Sequence, residues 1–176
     1  IEGWGKNINP DGTVLEGVFK EGNVYNGTGV LILPCGTVYD GTWVEGRMTG
    51  QGKRTTTDGY VYEGQWVNGK EEGIGKSVNP DGSVLEGEFK NGAIYNGSGV
   101  LILSDGRVHQ GTWVEGQMDG QGKRVSADGF VYVGERANGF QHGYGVLTYP
   151  DGTVYEGYWV CGKQDGRGKR TSPDGK

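Results

Sequence analysis

A 23-residue period dominates the chain. With Tyr62 as origin, a unit reads Tyr62-Glu63-Gly64-Gln65-Trp66-Val67-Asn68-Gly69, then Gly73-Ile74-Gly75-Lys76, then Pro80-Asp81-Gly82. The frame begins again at Leu15, Tyr39, Leu85, His109, Tyr132 and Tyr155, so the successive spacings are 24, 23, 23, 24, 23 and 23 residues. The two longer units carry one extra residue before Tyr25-Asn26-Gly27 and Tyr95-Asn96-Gly97. A period of this length means that each unit is one supersecondary element, which buries its apolar face only by stacking on its neighbours. The 38 glycines are several-fold above the usual share of about 7%. High glycine with low hydrophobicity is a signature of disorder. Here the 5 Trp, 10 Tyr and 4 Phe recur at fixed spacings, so glycine is structural punctuation. A second period lies above the first: residues 5–60 match 75–130 at most positions, which marks the duplication of a 70-residue block.

Each unit has two turn signals, and the runs between them are too short for helices. Asn68-Gly69 and Glu45-Gly46 read as hairpin ends; Asp58-Gly59, Asp81-Gly82, Asp128-Gly129 and Asp151-Gly152 read as return turns. Two strands of about five or six residues per unit follow, or about fifteen in all. Alternation puts Tyr62, Gly64 and Trp66 on one face and Glu63, Gln65 and Val67 on the other. A register that pairs Trp66 with Gly73 and Gly64 with Gly75 gives the large rings room, and it sets Glu63 opposite Lys76. The same offset sets Asp40 opposite Lys53, Gln110 opposite Lys123 and Glu156 opposite Lys169, which are mostly charge-complementary pairs. The expected fold is all-β: a single-layer antiparallel meander, or solenoid, of successive hairpins, elongated and curved. At about 4.8 Å per strand it would be roughly 70 Å long. It forms one array over 1–176 with a partial unit at 1–14. Gly3 and Gly5 already occupy second-strand positions, and no terminal caps are visible, so a longer protein is expected around it.

The unit Tyr-x-Gly-x-Trp-x-x-Gly-x-x-x-Gly-x-Gly, closed by Asp-Gly, resembles the MORN (membrane occupation and recognition nexus) repeat. Its motif residues stand at Tyr39, Gly41, Trp43, Gly46, Gly50 and Gly52, and again at Tyr155, Gly157, Trp159, Gly162, Gly166 and Gly168. Leu15, Leu85 and His109 replace the leading Tyr, Phe19 and Phe89 replace Trp, and Arg136 stands where Trp is expected. The resemblance implies a hairpin solenoid of the kind found in scaffolds, in membrane-junction proteins and attached to lipid kinases and methyltransferases.

The expected function is a non-catalytic protein-interaction or scaffold module. Its docking surface is the aromatic concave face, formed by Phe19, Tyr39, Trp43, Tyr62, Trp66, Phe89, Trp113, Tyr132, Tyr155 and Trp159, and its partner is a peptide or helix. Such rings give large contact area at low entropic cost, although rings over glycine are equally the core of a one-layer sheet. The alternatives are a phospholipid-associating module or an accessory region of a longer enzyme. Phosphate head groups would meet the Lys-Arg steps Lys53-Arg54, Lys123-Arg124 and Lys169-Arg170. Arg54 and Arg170 are expected near Tyr39 and Tyr155, within ring–cation reach. A homodimer or end-to-end assembly through strand edges is a further expectation.

The net charge of -5 and the pI near 5.1 give no general attraction to nucleic acid. No run approaches the 18 apolar residues of a spanning helix. The carboxylates Glu16, Asp40, Glu63, Glu86 and Glu156 recur at one position of the unit, as a surface ladder does. Gly-x-Gly recurs without the helix that a phosphate loop needs, and His109 and His142 stand apart from other metal ligands. No catalytic constellation, metal site or cofactor is therefore expected. Cys35 and Cys161 are expected as free thiols, which fits a cytoplasmic protein at membrane or cytoskeletal structures.

Overall fold

A computed structural model describes residues 2–175. The chain divides into two compact units, Ile1–Ile94 and Tyr95–Lys176. The first contains β1 (Glu2–Ile8), β2 (Val14–Lys20), β3 (Asn23–Ile32), β4 (Val38–Val44), β5 (Arg47–Thr55), β6 (Val61–Val67), β7 (Lys70–Val78) and β8 (Val84–Lys90). The second contains all but the first two residues of β9 (Ala93–Ile102), then β10 (Val108–Val114), β11 (Gln117–Val125), β12 (Val131–Ala137), β13 (Phe140–Thr148), β14 (Val154–Val160) and β15 (Lys163–Thr171). Within each unit every strand pairs antiparallel with its chain neighbour, and no helix occurs among the described residues. The all-β meander of hairpins is therefore present. Its strands, at 7 to 10 residues, are longer than the turn spacing alone suggested.

Both turn types have clear causes. At the hairpin ends the two central residues are left-handed: Asn68 and Gly69 have φ of 51° and 78°, and Glu45 and Gly46 have 51° and 76°. That geometry matches the right-handed twist of the flanking strands. At the return turns the Asp side chain holds the loop. Asp81 accepts from the Ser83 amide at 2.9 Å and the Ser83 hydroxyl at 2.7 Å, and Asp11 is held in the same way by Thr13. These bonds favour the ionised form, so hydrogen bonding from the Ser83 and Thr13 side chains and amides holds both carboxyls below their ordinary range. A carboxyl depressed on folding contributes stability that is present above its unfolded pKa and lost as pH falls through its folded one. The urea midpoint is therefore expected to decline below about pH 4, and Asp11→Asn with Asp81→Asn should flatten that decline. An unchanged acid limb in the double variant would contradict the assignment.

The register departs from expectation at one place in each unit. Gly64 does face Gly75, and Glu63 does face Lys76, but Trp66 faces Glu71 and not Gly73. The cause is an irregularity in the second strand of the hairpin. From Gly41 to Thr42 is one step, whereas their partners Gly52 and Thr49 are three apart, so two extra residues are accommodated at Gly50-Gln51. In the 23-residue repeats the first glycine of Gly-x-Gly absorbs the distortion, with φ of 72° at Gly50, 71° at Gly73 and 78° at Gly120, whereas the hairpin from Leu15 accommodates a single extra residue at Tyr25. The ring then meets the glycine of the preceding hairpin: Trp66 faces Gly50, Phe89 faces Gly73, Trp43 faces Gly27 and Trp159 faces Gly143. Each Trp or Phe thus ties its own hairpin to the one before it.

Candidate functional site

The predicted aromatic stripe is assembled on one face of the sheet, and most of it is buried there. Tyr62, Trp66, Phe89, Trp113, Tyr132 and Trp159 are each less than 5% exposed, and Trp43 and Tyr155 are at 7%. Only Phe19 and Tyr39 are half-buried. The rings meet edge to face in a continuous series Trp43–Tyr39–Trp66–Tyr62–Phe89, with centroids 5.0 to 6.1 Å apart. In the second unit Trp159 touches both Tyr132 and Tyr155. Such pairs prefer this geometry because the electron-poor edge of one ring meets the electron-rich face of the next. The stripe is therefore first of all the core, and only its margins keep exposed surface.

One margin forms a hollow of about 270 Å³ lined by Leu31, Leu33, Tyr39, Trp43, Arg47, Met48 and Trp66, together with turn glycines. It contains an unsatisfied donor. The indole N–H of Trp66 donates to the Gly52 carbonyl at 3.0 Å, and that of Trp159 to the Gly145 carbonyl at 3.3 Å. The equivalent Nε1 of Trp43 is buried without an acceptor. Sequence reasoning missed Leu31, Leu33 and Met48 as members of this face. Met48 and Met118 recur two residues after the hairpin glycine, a ring-face position held by Val24 and Ile94 in other hairpins; that recurrence was the available signal.

Strand alternation splits the Lys-Arg steps between the two faces. Arg54 and Arg124 lie opposite Tyr62 and Tyr132 on the ring face, whereas Lys53 lies between Asp40 and Glu63 on the outer face. Lys123 is set between Gln110 and Val133, and Lys169 faces Glu156. The six residues therefore form no single basic patch. The lysines of the first unit lie in a ladder of acids, where Lys76 bonds Glu86 at 2.7 Å and Lys6 bonds Glu16 at 2.7 Å. Arg54 and Arg170 do face Tyr39 and Tyr155 in register, yet their guanidiniums sit over other rings, Tyr60 at 5.3 Å and Tyr149 at 5.0 Å. Tyr60 and Tyr149 lie beside the return turns, in the path of an Arg side chain that leans along its strand.

Arg54 also forms the most buried ion pair among the described residues, to Glu71 at 2.7 Å, with the Glu71 side chain only 5% exposed. Burial pushes the Glu71 carboxyl up, and Arg54 pulls it back down. Removing one partner strands the other charge. Because the Arg54 side chain is 29% exposed and so partly screened, Glu71→Ala is expected to cost about 2 kcal/mol by chemical denaturation. A loss below about 0.5 kcal/mol, the level of a bare surface substitution, would show that the pair does not hold.

The outer face carries aromatic residues that the stripe does not include. Tyr144 and Tyr158 face each other with centroids 5.4 Å apart, both are exposed, and the Tyr144 hydroxyl donates to Glu156 at 2.6 Å. Among the described residues no group of three or more His, Cys, Asp or Glu is placed to hold a metal ion. Cys35 and Cys161 are free and exposed.

A family model, the MORN repeat, matches residues 39–59, 62–84, 86–106, 109–131, 132–154 and 155–176. No curated protein matches the chain. Among solved structures, the wild-type TCP10 domain of Danio rerio CPAP in complex with a peptide of Danio rerio STIL is 18% identical. That match covers 99% of this chain and 96% of that one, at a TM-score of 0.35. The same domain without the peptide gives 18% identity, 99% and 92% coverage, and a TM-score of 0.30. A streptogramin B lyase gives 10% identity, 98% and 80% coverage, and 0.21.

Proposed function

The chain belongs to the MORN repeat family, matched over six successive repeats, and from that premise we propose that it is a non-catalytic binding module that takes a peptide or helix of a protein partner along its ring face. The observation that carries this reading is the hollow at Trp43. It joins apolar walls (Leu31, Leu33, Met48) with a half-buried Tyr39 and the Arg47 side chain. Binding sites commonly pair apolar surface with a few convergent polar groups in this way. Tyr39 is the anchor that a partner would cover, since it is the ring of the series with surface still to lose.

The test is capture from lysate by the immobilised chain and two variants, run beside flotation with phosphoinositide liposomes. Tyr39→Ala removes the anchor; Ile74→Ser alters the outer face, where Ile74 is 65% exposed. A stoichiometric protein partner is expected with the wild-type chain and Ile74→Ser, and a loss of about tenfold or more with Tyr39→Ala. Flotation that is salt-sensitive and disappears when Lys53, Lys123 and Lys169 are neutralised, with no protein captured, would replace this reading with a phospholipid one.

A further inference from the structure

The 70-residue duplication supplies an internal template for one part of the ring face. In the first unit Arg54 is set between Tyr39 and Tyr62, next to Trp66, and its charge is met by Glu71. Seventy residues on, Arg124 is retained and set between His109 and Tyr132. The other partners differ: His109 stands for Tyr39, Arg136 for Trp66 and Gln141 for Glu71. Register places them alike, since Trp66 faces Gly50 and Glu71, and Arg136 faces Gly120 and Gln141. The first copy therefore holds one guanidinium and one carboxylate, a net charge of zero. The second holds two guanidiniums and no carboxylate in Glu71's place, a net charge of +2.

No carboxylate pairs with that charge among the described residues; the Arg136 guanidinium lies over the Tyr132 ring, 5.8 Å from its centroid. Arg136 is only 5% exposed; one terminal nitrogen donates to the Gly139 carbonyl, while its Nε and other terminal nitrogen are buried without a partner. The His109 Nε2 is likewise buried and unpartnered; the Arg124 Nε is too, but so is the Arg54 Nε of the first copy, and it does not distinguish the two. Burial, followed by the guanidiniums of Arg124 and Arg136, holds the His109 imidazole below its usual range, as a positive local field requires. A hollow of about 230 Å³ is lined by Arg124, Ser126, Asp128, Phe130, Tyr132, Gln141 and Leu147; Arg136 lies behind Tyr132 and Gln141, which it contacts or faces in register. Asp128 is engaged by the Ser126 hydroxyl at 2.5 Å, as Asp58 is by Thr56 in the first copy, so it does not distinguish the two. Burying unpaired charge is costly, and two arginines with free donors are the standard means of gripping a carboxylate.

We propose that Arg124 and Arg136, with Gln141 at the position of Glu71, form a carboxylate-binding site that takes an acidic side chain of the bound peptide. The ligand's carboxylate fills the role that Glu71 fills for Arg54. This assignment rests on the peptide-binding reading and gives it a chemistry: the partner segment that lies on the second unit carries Asp or Glu.

Two variants copy the first unit's solution and so should fold. Gln141→Glu supplies the missing carboxylate from within, and Arg136→Trp restores the repeat's usual ring. The arginine Nε–Hε resonances of the ¹⁵N-labelled chain are followed during titration with blocked glutamate (N-acetylglutamate N-methylamide), its glutamine analogue, inorganic phosphate and phosphoinositide vesicles. Saturable shifts at Arg124 and Arg136 are expected with the glutamate and not the glutamine compound, weakened about tenfold or more in each variant. An equal response to the glutamine analogue, or shifts that persist in both variants, overturns the site. Tighter binding of phosphate or vesicles than of glutamate overturns the acidic-peptide assignment. Ring-face partner capture that survives both substitutions sinks this inference alone, whereas capture that ignores Tyr39→Ala sinks the reading beneath it.

Discussion

Trp66→Ala is expected to remove about 3–5 kcal/mol of stability from the unit that contains it. The indole is 3% exposed, touches Tyr39 and Tyr62 edge to face, and donates to the Gly52 carbonyl of the preceding strand. Truncation therefore leaves a cavity, breaks two ring contacts and removes the hydrogen bond to the Gly52 carbonyl. The cavity dominates, because a net hydrogen bond contributes only about 1 kcal/mol. Repeat arrays transmit such a loss mainly to nearest neighbours, so hydrogen exchange should rise in β5, β6 and β7 well before β1. Urea denaturation followed by tryptophan fluorescence checks the magnitude. A change below about 0.5 kcal/mol, the level of a surface substitution, would mean that the indole is not packed as described.

Gly75→Ala is expected to be nearly as damaging, for the opposite reason. Gly75 has an ordinary backbone conformation, so the cost is not one of φ. A methyl group there would lie 2.3 Å from the Tyr62 hydroxyl oxygen and 2.6 Å from Cζ. The same arrangement recurs at Gly145 under Tyr132 and at Gly168 under Tyr155, with hydroxyl distances of 2.3 and 2.4 Å. Tyr62 cannot swing away, because it is fully buried and its hydroxyl bonds the Gln65 carbonyl at 3.1 Å. Overpacking of this kind costs about 3 kcal/mol, which outweighs the ~0.4–1 kcal/mol that Ala gains over Gly by restricting the unfolded chain. Gly3→Ala is the matched control, since a methyl group there meets nothing within 4 Å. Equal thermal midpoints for the two variants would refute the packing account.

The hairpin order was legible because a glycine closes every hairpin end, as in Asn68-Gly69 and Glu45-Gly46, and Asp-Gly marks all but one of the return turns, where Cys35-Gly36 stands; turn chemistry with period-2 alternation is local. The backbone register of Glu63 and Lys76 was legible for the same reason, since both lie on the regular side of the irregularity, but the Lys76 ammonium bonds Glu86 of the next strand and not Glu63. Trp66 was set against the wrong glycine because its partner depends on how Gly73 absorbs two extra residues, and a count of positions cannot register a positive φ. The ring contacts of Arg54 and Arg170 were misplaced because a long side chain leans along its strand, whereas register specifies only what lies across it. At the site, the motif named the rings, but it could not say which of them keep surface to offer. Tyr39 and Trp43 differ in that respect only through what packs on them. Arg136 was visible as a departure from the motif. Its meaning required Glu71, whose partnership with Arg54 emerges only when two strands are placed side by side.

The central claim is that a protein partner lies on the ring face at the Trp43 hollow. A photo-crosslinking residue placed at Tyr39 on the ring face, and in a second preparation at Ile74 on the outer face, tests it most directly, with the captured peptide identified by mass spectrometry. The account predicts one dominant peptide crosslinked from position 39 and none from position 74. Crosslinks from position 74 alone, or from lipid and not from peptide at position 39, would contradict it.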